Sequence, residues 1–277
     1  MIHVKKAFVI GHPIKHSRSP LIHGSWLAEH GIDGSYEAID VAPDALPAFI
    51  ERLRQGEFVG GNVTIPHKEA VFALCDSVDP LARTIGAANT LVRQPDGRIH
   101  GFNTDYMGFL GNLDQNAPGW AAGLGRAVVL GAGGAARAIL VALREQGVPE
   151  IVLLNRTPEK AAALAREIGG PFIAGGLTDY ADYAAGAGLL VNTTSIGMHD
   201  TRFEALDLGL LPGTALVTDI VYVPLTTPLL ADARALGLRT VDGLGMLLHQ
   251  AVPGFAAWFG VRPEVTSALR AKVEATL

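Results

Sequence analysis

Apolar residues along this chain gather in short runs, and between the runs they recur every three or four positions, so strands and helices alternate. Val4 to Ile10 predicts a strand closed by Gly11-His12-Pro13. A helix follows, with Ser19 as its cap, Pro20 as its first residue and Gly31 at its end. Ser35 to Val41 reads as a second strand, and Asp44 to Arg54 as a helix that turns Leu46, Ile50 and Leu53 inward. Phe58 to Ile65 is a third strand, and Pro66 opens another helix. Ala88–Val92 and Arg98–Phe102 flank Pro95-Asp96-Gly97 and form a hairpin. A helix carrying Met107, Leu110 and Leu113 then starts at Asn103-Thr104-Asp105.

The second half repeats the alternation. Ala127–Leu130 and Ile151–Leu154 are buried strands around a helix with Ala135, Ile139 and Leu143 at four-residue spacing. A helix over Ala161–Ile168 follows, then short strands at Phe172–Ala174, Leu189–Asn192, Ala215–Val221 and Arg239–Val241, with a helix from Pro228 to Leu236. Helices over Met246–Trp258 and Pro263–Ala275 complete the chain. The fold class is α/β, with a mainly parallel sheet in the N-terminal part and a Rossmann-like, doubly wound sheet after it.

At 277 residues the chain exceeds the size at which one core usually keeps growing, so two domains are expected. The glycine- and alanine-rich Asn116–Gly125 marks the crossing. Residues 1–115 are then one domain, completed by 246–277, and 116–245 the other. The net charge of −5 and the lack of a long basic run argue against nucleic acid as a partner. A single cysteine, Cys75, rules out an internal disulfide and fits a reducing cytoplasm. No run approaches the roughly 18 apolar residues of a membrane helix. The apolar stretch after Lys5 and Lys6 is too short for a signal segment, so a soluble, unprocessed chain is expected. The nine histidines show no metal-ligand spacing, so no metal is expected.

Candidate chemistry concentrates first at Gly131, Ala132, Gly133, Gly134 and Ala135. Glycines let the backbone approach a ligand closely, and the helix behind them offers free N–H groups to a pyrophosphate. Ala136 is the small residue where helix and strand pack. An NAD enzyme usually carries an acidic residue at the end of the next strand. Here stand Asn155, Arg156 and Thr157, with Lys160 a turn later, a set that attracts a 2′-phosphate and predicts NADP(H). Lys68 is the best candidate acid. It is one of six lysines, just inside the helix opened by Pro66, where the dipole disfavours a cation and favours release of its proton. Read on its own, it could equally be a solvated ammonium beside Glu69.

Nine stretches carry a resemblance in order and spacing: GHPIKHSRSP from Gly11, NVTIPHKE from Asn62, GAANT from Gly86, GFNTDYMGF from Gly101, VLGAGGAARA from Val129, LNRT from Leu154, NTTSIGM from Asn192, YVPLTTPLL from Tyr222 and DGLGMLLHQA from Asp242. Together they resemble the shikimate dehydrogenase family over nearly the whole chain. The resemblance implies NADPH-dependent, reversible reduction of 3-dehydroshikimate to shikimate, with Lys68 and Asp105 as the acid–base pair. Which of the two moves the proton is left open. It implies that Ser17 and Ser19 hold the substrate carboxylate, that Thr64, Asn89, Asp105 and Gln250 hold its hydroxyls, and that Tyr222 also reaches it. Gly131 to Ala135 would take the pyrophosphate, Asn155, Arg156, Thr157 and Lys160 the adenosine phosphate, and Ile220 and Gly243 the nicotinamide. The site would be a cleft between domains, in a monomer or homodimer. Two alternatives stand beside this reading: a sister enzyme acting on quinate or using NAD, and a non-catalytic dinucleotide sensor. His67, beside Lys68, would tune the lysine or cap the helix. Tyr106, beside Asp105, would narrow the pocket or stack outside it.

Overall fold

The computed structural model describes residues 4–277. The chain divides into two compact units, one formed by the residues up to Asp105 together with Leu248–Thr276, the other by Tyr106–Leu247. The expected crossing at Asn116–Gly125 falls inside the second unit, because the helix from Asp105 already belongs to it from Tyr106 onward.

The first unit runs β1 (Lys5–Gly11), α1 (Ser19–Glu29), β2 (Gly34–Asp40), α2 (Leu46–Arg54), β3 (Gly60–Val63), α3 (Lys68–Leu74), β4 (Ser77–Val78), α4 (Pro80–Ile85), β5 (Thr90–Arg93) and β6 (Ile99–Phe102). Its sheet has the order β2-β1-β3-β5-β6-β4. β1 pairs in parallel with β2 and β3, and the β5–β6 hairpin adds antiparallel pairs. Both faces of β1 are buried, so its apolar run does not alternate. On one face Phe8 meets Phe49 and Phe58 edge-on, at centroid distances of 4.8 and 5.1 Å. Gly60 has φ +157, and its absent side chain makes room for the Trp258 indole, which donates to the Leu91 carbonyl at 2.8 Å.

The second unit runs α5 (Asp105–Asn116), β7 (Arg126–Leu130), α6 (Gly134–Glu145), β8 (Glu150–Asn155), α7 (Pro158–Ile168), β9 (Phe172–Gly176), α8 (Tyr180–Ala184), β10 (Leu189–Asn192), β11 (Ile196–His199), β12 (Leu216–Asp219), α9 (Pro228–Ala235) and β13 (Arg239–Val241). α10 (Leu244–Phe259) passes into the first unit, where α11 (Ser267–Glu274) follows. Six strands pair in parallel in the order β13-β12-β10-β7-β8-β9, the doubly wound arrangement expected. The order reverses between β7 and β10. In open α/β sheets, ligands bind beyond the strand ends at such a point.

Several local expectations need correction. α1 begins at Ser19 itself, after Arg18, which makes no side-chain cap bond, and Ser19 N–H donates to Ser17 Oγ at 3.3 Å. Ser19 is therefore not the cap. Pro66 does not open α3. The Thr64 carbonyl accepts from His67 N–H at 2.9 Å, which makes a turn of residues 64–67, and the helix starts at Lys68. α11 starts at Ser267, capped by Thr266 Oγ1 on Leu269 N–H, so Pro263 precedes it. β4, α4, α8 and β11 are further elements, each six residues or shorter.

Candidate active site

In the first unit the polar groups converge at the strand ends around Asn89. Its backbone links two strands: Val63 N–H donates to the Asn89 carbonyl at 2.8 Å, and Asn89 N–H donates to the Phe102 carbonyl at 2.9 Å. Its side-chain oxygen accepts from Thr104 N–H at 2.8 Å and from the Thr90 hydroxyl at 3.0 Å. That fixes the amide so that Nδ2 donates to Asp105 Oδ1 at 2.9 Å. Asp105 is the first residue of α5, yet it is not a cap. Its N–H is met by Asn103 Oδ1 at 3.1 Å, which leaves the carboxylate free to face Lys68.

Lys68 Nζ donates to Asp105 Oδ2, with 16% of the lysine side chain and 7% of the aspartate side chain accessible. The Lys68 carbonyl accepts from Ala88 N–H at 2.9 Å, which ties the start of α3 to the segment bearing Asn89. Both carboxylate oxygens thus accept, and the ammonium is the group of the pair that donates. Gln250, on α10, joins the cluster through the Thr104 hydroxyl, 3.4 Å from its Oε1.

Ser17 and Ser19 lie on the loop and first turn after β1, Ser17 half-buried and Ser19 buried. The same loop is held against the Thr64 strand end. His12 N–H donates to the Ile65 carbonyl at 3.0 Å, and a side chain on Gly11 would lie 2.6 Å from Thr64 Cγ2. Asp40, at the end of β2, anchors the loop by accepting from His12 Nδ1 at 2.6 Å and from Ile14 N–H at 3.2 Å. The His12 hydrogen bond holds the Asp40 carboxyl below its usual range.

The second unit gathers the other set. Gly131 has φ +104, and a Cβ there would stand 2.7 Å from Thr194 Cγ2, so only glycine makes this turn. Gly133 is extended and faces open space, and α6 begins after it with no side-chain cap. The first-turn N–H groups of α6 are thus presented outward, and Ala136 is fully buried beneath them. Gly131 N–H donates to the Leu154 carbonyl at 2.8 Å, which sets the turn beside Asn155. Asn155 donates to the Thr157 carbonyl at 2.9 Å, while Arg156 and Lys160 are exposed and have no ion-pair partner among the described residues. An uncapped helix start beside two uncommitted cations fits a pyrophosphate and a 2′-phosphate, so the residues present fit NADP(H). Ile220 and Gly243 are adjacent: a Cβ on Gly243 would lie 2.4 Å from the Ile220 carbonyl oxygen. Tyr222 is half-buried on the loop after β12.

His67 is 1% exposed and its Nε2 donates to the Val41 carbonyl at 2.7 Å, so it anchors the turn before Lys68 from inside the core. Tyr106 is half-buried, and burial, then the Glu145 charge, raises its hydroxyl above the usual phenol range. Asn62, Thr90 and Thr104 are buried members of the Asn89 cluster that sequence reading passed over. Their signal was available: polar residues standing where a strand end enters the core.

Comparison with known proteins places the chain in a lineage. Residues 9–91 match the model of a shikimate dehydrogenase substrate binding domain, 121–220 that of shikimate / quinate 5-dehydrogenase, and 243–273 that of the shikimate 5′-dehydrogenase C-terminal domain. The chain is 60% identical over 273 residues to a shikimate dehydrogenase (NADP(+)) of Mesorhizobium japonicum, covering 99% of this chain and 97% of that one. The crystal structure of shikimate 5-dehydrogenase from Thermus thermophilus in complex with NADP(H) and shikimate aligns with TM-score 0.89 at 41% identity, covering 99% and 100%. Quinate dehydrogenase from Corynebacterium glutamicum in complex with NAD aligns with TM-score 0.89 at 33% identity, covering 99% of each chain. With nearly every residue of the chain matched by such relatives, the protein belongs to the shikimate dehydrogenase family.

Proposed function

We propose that the protein catalyses the reversible, NADPH-dependent reduction of 3-dehydroshikimate to shikimate, a step towards aromatic amino acids. The observation that carries this reading is the part-buried Lys68–Asp105 pair, its carboxylate held by Asn89, in a chain 60% identical to an NADP-dependent shikimate dehydrogenase. NADPH, when bound, supplies the hydride that reduces the substrate carbonyl carbon. The carbonyl oxygen then needs a proton. Lys68 Nζ, the donor of the pair, delivers it, and Asp105 keeps the ammonium in place and balances its charge. In the reverse direction the same groups take the proton from the substrate hydroxyl.

Ser17 and Ser19 hold the substrate carboxylate at the start of α1, Thr64, Asn89, Asp105 and Gln250 meet its hydroxyls, and Tyr222 also reaches it. Amide and hydroxyl groups suit a polyhydroxylated ring because each both donates and accepts. Gly131 to Ala135 seat the pyrophosphate, Asn155, Arg156, Thr157 and Lys160 the adenosine 2′-phosphate, and Ile220 and Gly243 the nicotinamide. Among the described residues no helix is long and apolar enough to cross a membrane. A cytoplasmic setting, with its supply of NADPH, suits the unpaired Cys75, whose thiol is pushed up to about 12 by burial.

Initial rates with shikimate and quinate, each with NADP+ and NAD+, test the assignment through the absorbance of the reduced nicotinamide formed. Shikimate with NADP+ is expected to give the highest kcat/KM. A higher value with quinate or with NAD+ would move the protein to the sister activity. No turnover with any pair would favour a sensor.

A further inference from the structure

Asp219 ends β12, is fully buried, and carries no cationic partner among the described residues. Its neighbours are neutral and every one of its bonds is accepted. Oδ1 takes Asn192 Nδ2–H and Val221 N–H, each at 2.9 Å, and Oδ2 takes the Thr227 hydroxyl at 2.7 Å. Those donors come from three places. Asn192 ends the neighbouring strand β10, in register with Asp219, and its own Oδ1 fixes Thr194 through N–H at 2.9 Å and Oγ1 at 2.8 Å. Val221 follows Ile220 directly. Thr227 is the cap of α9, its Oγ1 accepting from Leu230 N–H at 3.4 Å. One carboxylate therefore closes both ends of the loop from Ile220 to Thr227 and joins it to the segment whose Thr194 packs on Gly131.

We propose that Asp219 is a positioning residue of this enzyme, holding the Ile220 carbonyl and the Tyr222 loop where the nicotinamide half of the coenzyme is received. The inference rests on the reading of Ile220 and Gly243 as nicotinamide contacts. Gly243 presses against the Ile220 carbonyl and against the Val221 oxygen, at 2.4 and 2.7 Å from an added Cβ, so the height of this loop decides how close a flat ring can come. Burial of the carboxylate without a counter-charge is unfavourable, and it pushes Asp219 up to about 6. An apolar side chain would fill the same space at lower cost, but it would leave Val221 N–H and Thr227 without an acceptor and the loop untied at both ends.

The test compares Asp219→Asn, Thr227→Val and Thr227→Ser with the wild-type chain in fluorescence titrations with NADPH and with 2′,5′-ADP, which has the phosphorylated adenosine but no nicotinamide. Asp219→Asn turns an acceptor into a donor at one oxygen. It is expected to weaken NADPH binding by about tenfold, the size of one lost hydrogen bond, and to leave 2′,5′-ADP binding within about twofold. Thr227→Val, which keeps the shape and loses the hydroxyl, is expected to shift NADPH binding in the same direction, and Thr227→Ser to restore it. Equal weakening of both probes, or no change in either, would overturn the proposal. If Asp219→Asn does not fold, the valine–serine pair decides by the same comparison. Neither titration needs a substrate, so the outcome for Asp219 is read separately from whether the wild-type enzyme oxidises shikimate.

Discussion

Lys68 and Asp105 are 37 positions apart in sequence, and nothing in their local spacing pairs them. The fold does so by ending β3 and β6 on either side of Asn89, while Asn103 Oδ1 accepts the N–H of Asp105 at the start of α5. Removing one partner of a mostly buried pair leaves the other charge unmatched. Asp105→Asn is therefore expected to lower kcat by about a hundredfold or more and to cost about 1–3 kcal/mol of stability, since the lysine retains some access to solvent. Steady-state rates and urea midpoints check both; a variant with wild-type turnover would remove Asp105 from the chemistry. Arg156, proposed for the adenosine 2′-phosphate, is exposed and has no ion-pair partner among the described residues. Arg156→Ala is expected to raise the NADPH KM by about tenfold while barely moving that for NADH, and equal effects would undo the 2′-phosphate argument. The exposed cation pair after β8 could be read from sequence because it follows directly on the apolar run that forms that strand. The Asn62, Thr90 and Thr104 cluster had a weaker signal, polar residues at strand ends, and its bonds depend on the register that sets Asn62 beside Thr90.

Elements with a strong period were legible. β7, α6 and β8 appear where the apolar runs placed them, and the glycine turn between them is required by the φ of +104 at Gly131. Gly131→Ala is expected to cost about 1–3 kcal/mol in stability from the left-handed backbone and the Thr194 contact, and to weaken NADPH binding; calorimetry and titration report the two separately. Short elements were not legible. β4, α4, α8 and β11 have too few residues for either period to show, and the start of α3 was set by the Thr64–His67 turn, which an X-Pro rule does not see. One buried element contact carries a pH prediction. His23, on α1, is fully buried, stacks on Tyr36 at 4.0 Å, and burial lowers it from 6.5 to about 3, with Asn62 offsetting this only in part. The folded state thus binds fewer protons there than the unfolded chain between those values. The contribution of His23 is complete above pH 6.5 and is lost as the pH falls towards 3, by up to about 1.4 kcal/mol per pH unit. Melting temperatures between pH 7 and 4 should fall less steeply for His23→Phe than for the wild-type chain; parallel curves would refute the role.

At the scale of the molecule, the alternation of strand and helix was enough to give two α/β units, and the second sheet has the doubly wound order. The boundary was not readable, because α5 spans it with an unbroken helical pattern and the small-residue segment after Asn116 is an ordinary surface connection. The proposed chemistry divides along the same line, with the proton held in the first unit and the coenzyme in the second. It follows that deletion of the proton donor should stop turnover without dislodging either ligand. Lys68→Ala, assayed for shikimate oxidation and titrated separately with shikimate and with NADPH, tests this most directly. The expected result is a kcat lower by about a hundred- to ten-thousandfold, with both dissociation constants within about tenfold of the wild-type values. A variant that keeps nearly full kcat would contradict it.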